Sequence, residues 1–225
     1  MIKKIWQSAL YRKALHLICR GGVWFVDIPR TSSSSIRVSL QLQLGKAYGK
    51  SDLLESAHNL KYQAIPSHLS ARNMRQRLGE KCWQKLYTFS MVRNPWDRMW
   101  SMFSYRRTCG ELPPSMSFEH YLMLFFEEPT HHNLSPYSYH GHYYQCADYL
   151  LDIDGKIMVD FVARYEHRHQ DLQKIAAATG LKDLSRLHLN RLGDSSPYRQ
   201  HYNHTTREMV TRWAEKDIRL FNYRF

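Results

Sequence analysis

Short apolar runs alternate along this chain with longer stretches in which apolar and polar positions mix. The first run, 23–28 (Val-Trp-Phe-Val-Asp-Ile), is rich in β-forming residues and stops at Pro29, where it passes into a serine-rich turn. A helix is expected next, capped by Ser34 or Ser35 and ended by Gly45 and Gly49. Its apolar residues Ile36, Val38, Leu40, Leu42 and Leu44 alternate with a period nearer a strand's than a helix's. Residues 51–65 read as irregular or weakly helical, and 69–78, after His68, as a helix ended by Gly79. A second buried strand is expected over about 86–92, turning at Asn94-Pro95 into an aromatic-rich helix over 96–107, since proline suits a first helical turn. The strand–loop–helix unit thus occurs twice. After a hairpin-like turn at Asp154-Gly155, the pattern predicts a third strand over 157–162 and a helix over 170–179 ended by Gly180. A final amphipathic helix is expected from Thr205, with Met209, Val210, Trp213, Ile218 and Leu220 apolar. Strands separated by helices predict an α/β fold, three-layered around a central, mostly parallel sheet, with ligands bound off the carboxyl ends of the strands.

Length and charge bound this picture. The 225 residues, 43% hydrophobic and 13% aromatic, can bury a sizeable core and fit a single domain over 1–225. Within it, 1–22 reads as an amphipathic N-terminal helix: Lys3, Lys4, Arg12, Lys13 and Arg20 interrupt its apolar residues, so it lacks both a signal-peptide core and a spanning segment. Residues 108–147, with Pro113, Pro114, Pro129, Pro136 and the histidines and tyrosines crowded into 137–144, read as a partly irregular insertion that shapes a substrate cleft. A balance of 32 Lys and Arg against 20 Asp and Glu gives +12, an electropositive surface suited to phosphate, sulfate, acidic sugar or nucleic acid. The four cysteines, Cys19, Cys82, Cys109 and Cys146, form no C-x-x-C pair, so reduced thiols are expected and neither a zinc site nor a disulfide framework is indicated. These features together give a cytoplasmic protein, with peripheral attachment to a membrane surface as the secondary reading.

Two segments carry candidate chemistry. In residues 25–36 a strand ends in Pro29-Arg30-Thr31-Ser32-Ser33-Ser34-Ser35 before a helix, which assembles backbone N–H groups, hydroxyls and a helix dipole into a cradle for an anion, with Arg30 as a fixed positive charge. An ordinary capped turn would look similar. In residues 89–101 a strand ends at Arg93, and Ser101 follows about two helical turns later, so both can face one ligand. Asp97 and Arg98 on the same helix read as a structural ion pair.

At these residues the chain resembles the PAPS-dependent sulfotransferases, where PAPS is 3′-phosphoadenosine 5′-phosphosulfate. The likeness is to the carbohydrate sulfotransferase group that includes heparan sulfate 2-O-sulfotransferase and bacterial relatives. IPRTSSSSI stands where that group has an I-P-K-T-G-G-T-S loop that binds the 5′-phosphosulfate; FSMVRNPWDRMWSMF matches its 3′-phosphate motif, whose arginine and serine fall on Arg93 and Ser101. HLSARNMRQRLGEKCW looks like the segment in which a histidine opens a helix beside the acceptor, and the run from QCADYLLDIDGKIMVDF onward extends the likeness to most of 23–223. The resemblance implies a sulfotransferase that moves a sulfuryl group from PAPS to a hydroxyl of a carbohydrate or glycoconjugate, releasing PAP, the 3′,5′-bisphosphate. It implies a P-loop-like strand–loop–helix with Arg30, Thr31, Ser32, Ser33, Ser34 and Ser35 on the phosphosulfate. Arg93 and Ser101 would hold the 3′-phosphate, His68 would serve as general base, Arg30 would neutralise charge, and Tyr165 would contact adenine. Residues 190–199 resemble the loop that closes over the nucleotide. His140 and His142 are the reserve for the base and candidate acceptor-binding residues, and no metal is expected. Two positions depart from the group's pattern: Arg30 replaces its lysine, and Ser32 and Ser33 replace its two glycines. Serine disfavours positive φ, so the loop must use negative φ or accept strain.

Two other function classes fit part of the sequence. Gly45-Lys46-Ala47-Tyr48-Gly49-Lys50-Ser51 looks like the phosphate loop of a nucleotide kinase, but it is one residue short and no strand precedes it. A basic nucleic-acid-binding module suits the +12 charge, yet no recognition motif appears and the basic residues are scattered.

Overall fold

A computed structural model describes residues 9–45, 68–127, 144–187, 189 and 196–225. In chain order the elements are α1 (Ala9–Gly21), β1 (Val23–Val26), α2 (Ser33–Leu44), α3 (Ala71–Leu78), α4 (Glu80–Trp83), β2 (Tyr87–Val92), α5 (Pro95–Thr108), α6 (Phe118–Glu127), α7 (Cys146–Leu150), β3 (Phe161–Arg164), α8 (Arg168–Thr179), α9 (His204–Trp213) and α10 (Glu215–Phe221). The three strands form one parallel sheet in the order β1-β2-β3, with Phe25 opposite Phe89 and Phe89 opposite Phe161. Helices fill both crossovers, so the expected α/β class with a parallel sheet is the observed one.

The chain divides into two compact units. The first takes its described residues from 1–28, 32–92 and 149–189, the second from 29–31, 93–148 and 190–225. The sheet belongs to the first unit, where every residue of β1 is buried and Phe25 stacks on Phe89 at 5.0 Å between ring centroids. Ile18 from α1, Ile36 and Leu40 from α2, Met74 from α3, and Leu172 and Ile175 from α8 are all buried as well. Thr88 and Ser90 break the apolar run of β2 without leaving polar atoms unpaired. Ser90 donates to the Val26 carbonyl at 2.7 Å, and both the N–H and the hydroxyl of Thr88 donate to Asp160 at 2.7 Å. In the second unit Trp100 stacks on His201 at 3.6 Å and meets Phe118 edge-on at 5.1 Å, and Phe225 packs edge-on against Trp96 and Tyr202.

Several expectations are corrected here. The residue capping α2 is Ser32, not Ser34 or Ser35, which lie inside the helix; its side chain makes no cap bond because the residue is left-handed, with φ 72°. The third strand is Phe161–Arg164 rather than 157–162, because the turn at Gly155 folds Ile157 back onto Leu151 in an antiparallel bridge and the parallel ladder starts only beyond Asp160. The C-terminal helix breaks at Ala214 into α9 and α10, and Leu220 faces outward while Asp217 is buried, accepting the N–H groups of Cys146 and Ala147 at 2.8 and 2.7 Å. Cys19 and Cys82 form a disulfide, their Cα atoms 5.6 Å apart, whereas Cys109 and Cys146 are free. Nothing in the spacing signals that bridge, since its partners lie on α1 and α4, which meet only in the fold. The insertion at 108–147 contains α6 and the start of α7. Residues 1–8 of the N-terminal segment, 51–65 and most of the 45–51 kinase-like stretch lie outside the described residues. Among the described residues no helix is long and apolar enough to cross a membrane.

Candidate functional site

In the first unit the site is built where β1 ends. Asp27 follows Val26 directly and is only 2% exposed. Its carboxylate accepts from Arg37 Nη1 of α2 at 2.9 Å and from the His68 backbone N–H at 2.9 Å, and His68 Nδ1 lies 3.3 Å from Oδ2. Burial pushes the carboxyl up, but the charges and hydrogen bonds of Arg37 and His68 outweigh it and hold the group below the usual carboxylate range. His68 Nδ1 also lies 3.1 Å from the Asp27 carbonyl oxygen. His68 does not open the helix itself. It sits ahead of Ser70, the cap of α3, which accepts the Asn73 N–H at 3.2 Å, and it adopts φ 59°.

The start of α2 is pinned through its hydroxyls. Ser32 Oγ accepts from Arg168 Nε at 2.9 Å, and the same guanidinium donates to the carbonyls of Ser185, at 3.0 Å, and Leu187. Ser35 Oγ accepts the Leu189 N–H at 2.8 Å, while Ser33 is buried and Ser34 partly so. The first bond of the helix runs from the Ile36 N–H to the Ser32 carbonyl at 3.2 Å, so the N–H groups of its first turn lie at the positive end of the helix dipole, which favours an anion. Tyr165 opens a single 3₁₀ turn, Tyr165–His167, immediately after β3, at the carboxyl end of the sheet.

In the second unit Arg30, Arg93 and Ser101 come together. Asn94 caps α5 by accepting the N–H groups of Trp96 and Asp97 at 3.1 and 3.4 Å, and Pro95 fills the first helical position, so Arg93 stands just before the helix and Ser101 on it. Arg30, at φ 65°, donates from Nε and Nη2 to Ser101 Oγ at 3.2 and 3.0 Å. Its guanidinium carbon lies 4.3 Å from the centroid of the Tyr105 ring. Burial, with Cys109 beside it, pushes the Tyr105 hydroxyl up to about 12, so that ring is a neutral platform. Arg93 is bidentate to Asp97 at 2.6 and 2.9 Å and donates from Nη1 to the Arg30 carbonyl at 3.1 Å. Arg98, fully buried, donates to the carbonyls of Pro29 and Tyr144 at 3.0 and 2.9 Å. The expected Asp97–Arg98 pair is therefore replaced: Asp97 serves Arg93 four residues back, as i,i+4 spacing allows, and Arg98 braces the backbone of the 29–31 turn.

Of the residues singled out from sequence, Ser32, Ser33, Ser34, Ser35, His68 and Tyr165 lie in the first unit, and Arg30, Thr31, Arg93 and Ser101 in the second. Thr31 is fully buried. His140 and His142, and 190–195 of the closing loop, lie outside the described residues. Sequence reasoning missed Asp27, Arg37, Tyr105 and Arg168. Only Asp27 carried a signal, as a lone carboxylate inside an apolar strand run.

No curated protein and no solved structure matched the chain. The profile of the sulfotransferase family, by contrast, matches residues 20–224, a span that contains the parallel sheet, both strand–turn–helix junctions and every described residue of the two clusters. Sulfuryl transfer is thus the chemistry these residues are to be read for, and the chain belongs to the sulfotransferase family.

Proposed function

We propose that the chain transfers the sulfuryl group of PAPS to a hydroxyl of a carbohydrate or similarly polar acceptor and releases PAP. The observation that carries this reading is the pair of hydrogen bonds from Arg30 to Ser101, at 3.2 and 3.0 Å. Motif resemblance assigns these residues to the 5′-phosphosulfate and the 3′-phosphate respectively, and they are 71 positions apart in the chain. Arg93, held by Asp97 and by the Arg30 carbonyl, is a preorganised cation for the 3′-phosphate, so little side-chain entropy is lost when it meets an anion.

In the reaction, His68 takes the proton of the acceptor hydroxyl, the oxygen attacks sulfur in line, and the bond from sulfur to the bridging phosphate oxygen breaks. The sulfuryl group ends on the acceptor and PAP leaves with the electron pair. As in phosphoryl transfer, the protein aligns nucleophile and leaving oxygen and neutralises developing charge. Arg30 and the amides of 31–35 supply the neutralisation, Tyr165 takes the adenine, and His140 and His142 are assigned to the acceptor. The 108–147 insertion shapes the acceptor cleft within a single catalytic domain, and the excess positive charge draws an acidic acceptor. The Cys19–Cys82 bridge favours a compartment that oxidises thiols over the reducing cytoplasm that separated cysteines suggest. The test is a screen of polysaccharides, glycolipids and small sugars with PAPS labelled in the sulfuryl group. Label moving onto a hydroxyl acceptor with one PAP released per transfer is the expected result; transfer from ATP instead would overturn the donor assignment.

A further inference from the structure

We propose that Asp27 is the positioning residue for His68: its carbonyl and carboxylate oxygens together hold the imidazole with its proton on Nδ1 and so present Nε2 as the basic nitrogen. The proposal rests on the reading of His68 as the general base and goes beyond it in naming the reactive nitrogen and the group that selects it.

The argument is one of donors and acceptors. His68 Nδ1 has the Asp27 carbonyl oxygen at 3.1 Å and Asp27 Oδ2 at 3.3 Å. A carbonyl oxygen accepts and never donates, and an ionised carboxylate does the same. With two acceptors against it, Nδ1 must carry the proton, and a neutral ring then has its lone pair on Nε2. The carboxylate is kept ionised by geometry: Arg37 Nη1 lies 2.9 Å from Oδ2, and the His68 backbone N–H lies 2.9 Å from Oδ1. The cluster is enclosed, with Asp27 2% and Arg37 4% exposed and the His68 side chain 9% exposed. Loss of either charge would leave the other buried without its partner.

The backbone of His68 supports the same reading. Its φ of 59° lies in the left-handed region, which disfavours a non-glycine residue. The hydrogen bond from its own N–H to Asp27 Oδ1 secures that conformation, so Asp27 fixes both the main chain and the ring of one residue. A histidine that only packed against the domain would need neither restraint.

The experiment is nitrogen-15 NMR on the full chain labelled at histidine, at a pH where the His68 ring is neutral. The chain has 13 histidines, and the His68 signals are those lost in His68→Ala. A proton on Nδ1 is expected; a proton on Nε2 overturns the proposal. This readout needs no activity, so it stands even if Asp27→Asn fails to fold. Where Asp27→Asn does fold, the tautomer preference should be lost, and kcat should fall roughly 10²–10⁴-fold, the usual contribution of a general base, with KM for PAPS changed far less. Against a His68→Ala background, Asp27→Asn should cost nothing further, since its effect runs through the ring. An equal loss in both backgrounds would make Asp27 a support of the fold and overturn the proposal. Full turnover in His68→Ala alone would instead remove the base assignment and leave the tautomer result to be judged separately.

Discussion

Single residues carry backbone strain in each unit. Arg30, Ser32 and His68 all have positive φ without being glycine, and all three are residues singled out for chemistry. Sequence made part of this legible: Ser32 stands where the resembling group has glycine, and serine there had either to avoid positive φ or accept strain. It accepts it, with φ 72°, while Ser33, at the other glycine position, is helical. What sequence could not show is how the strain is held, because Arg168, which donates to Ser32 Oγ, is 136 positions away. A comparison of two variants isolates the backbone cost. Ser32→Gly and Ser32→Ala both lose the hydroxyl, but only alanine must keep a Cβ at left-handed φ. The glycine variant should be the more stable by about 1 kcal/mol in urea unfolding, the reverse of the order expected inside a helix. Equal stabilities would mean the turn relaxes to negative φ.

Elements were legible where local chemistry and pattern agreed. Asn94-Pro95 predicts the start of α5, and Gly180, left-handed as a helix-ending glycine should be, predicts the end of α8. The helix α2 formed against an alternation that suited a strand, because it must bury Ile36, Leu40 and the Arg37 side chain against the first unit's core rather than satisfy a pattern of its own. The third strand starts later than the pattern predicts because the ladder begins only beyond Asp160, whose carboxylate is bound by Thr88 after the Gly155 turn has closed. The contact between α1 and α4 was not legible at all. Their disulfide joins residues 63 positions apart, and a closed loop of that size stabilises by about 4 kcal/mol on the chain-entropy account. Reduction, or Cys19→Ser, should therefore lower the melting temperature by many degrees, whereas Cys109→Ser should leave it unchanged. An unchanged melting temperature for reduced protein would show that the bridge adds nothing to the fold.

At the scale of the whole molecule, length and strand–helix alternation pointed to the α/β fold, the two basic strand ends left an anion cradle open beside an ordinary capped turn, and motif resemblance supplied the sulfuryl-transfer reading with which the family profile over residues 20–224 agrees. The excess of positive charge in the sequence left phosphate, sulfate, acidic sugar and nucleic acid open. Within the second unit the arginines are placed by specific partners: Arg93 is shared between Asp97 and the Arg30 carbonyl, and Arg98 donates to the main-chain carbonyls of Pro29 and Tyr144. Residues placed by such long-range contacts leave no periodic trace, so their motifs could be matched from sequence while their partners could not. Arg93 and Ser101 are proposed to clamp the 3′-phosphate of the nucleotide. Calorimetric titration of the full chain with PAP and with AMP, which differ at the ribose 3′-position by that one phosphate, tests it most directly. PAP should bind at least about tenfold more tightly, the worth of a single charge-assisted hydrogen bond of about 1.5 kcal/mol, and the preference should shrink in Ser101→Ala. Equal affinities for PAP and AMP would contradict the account.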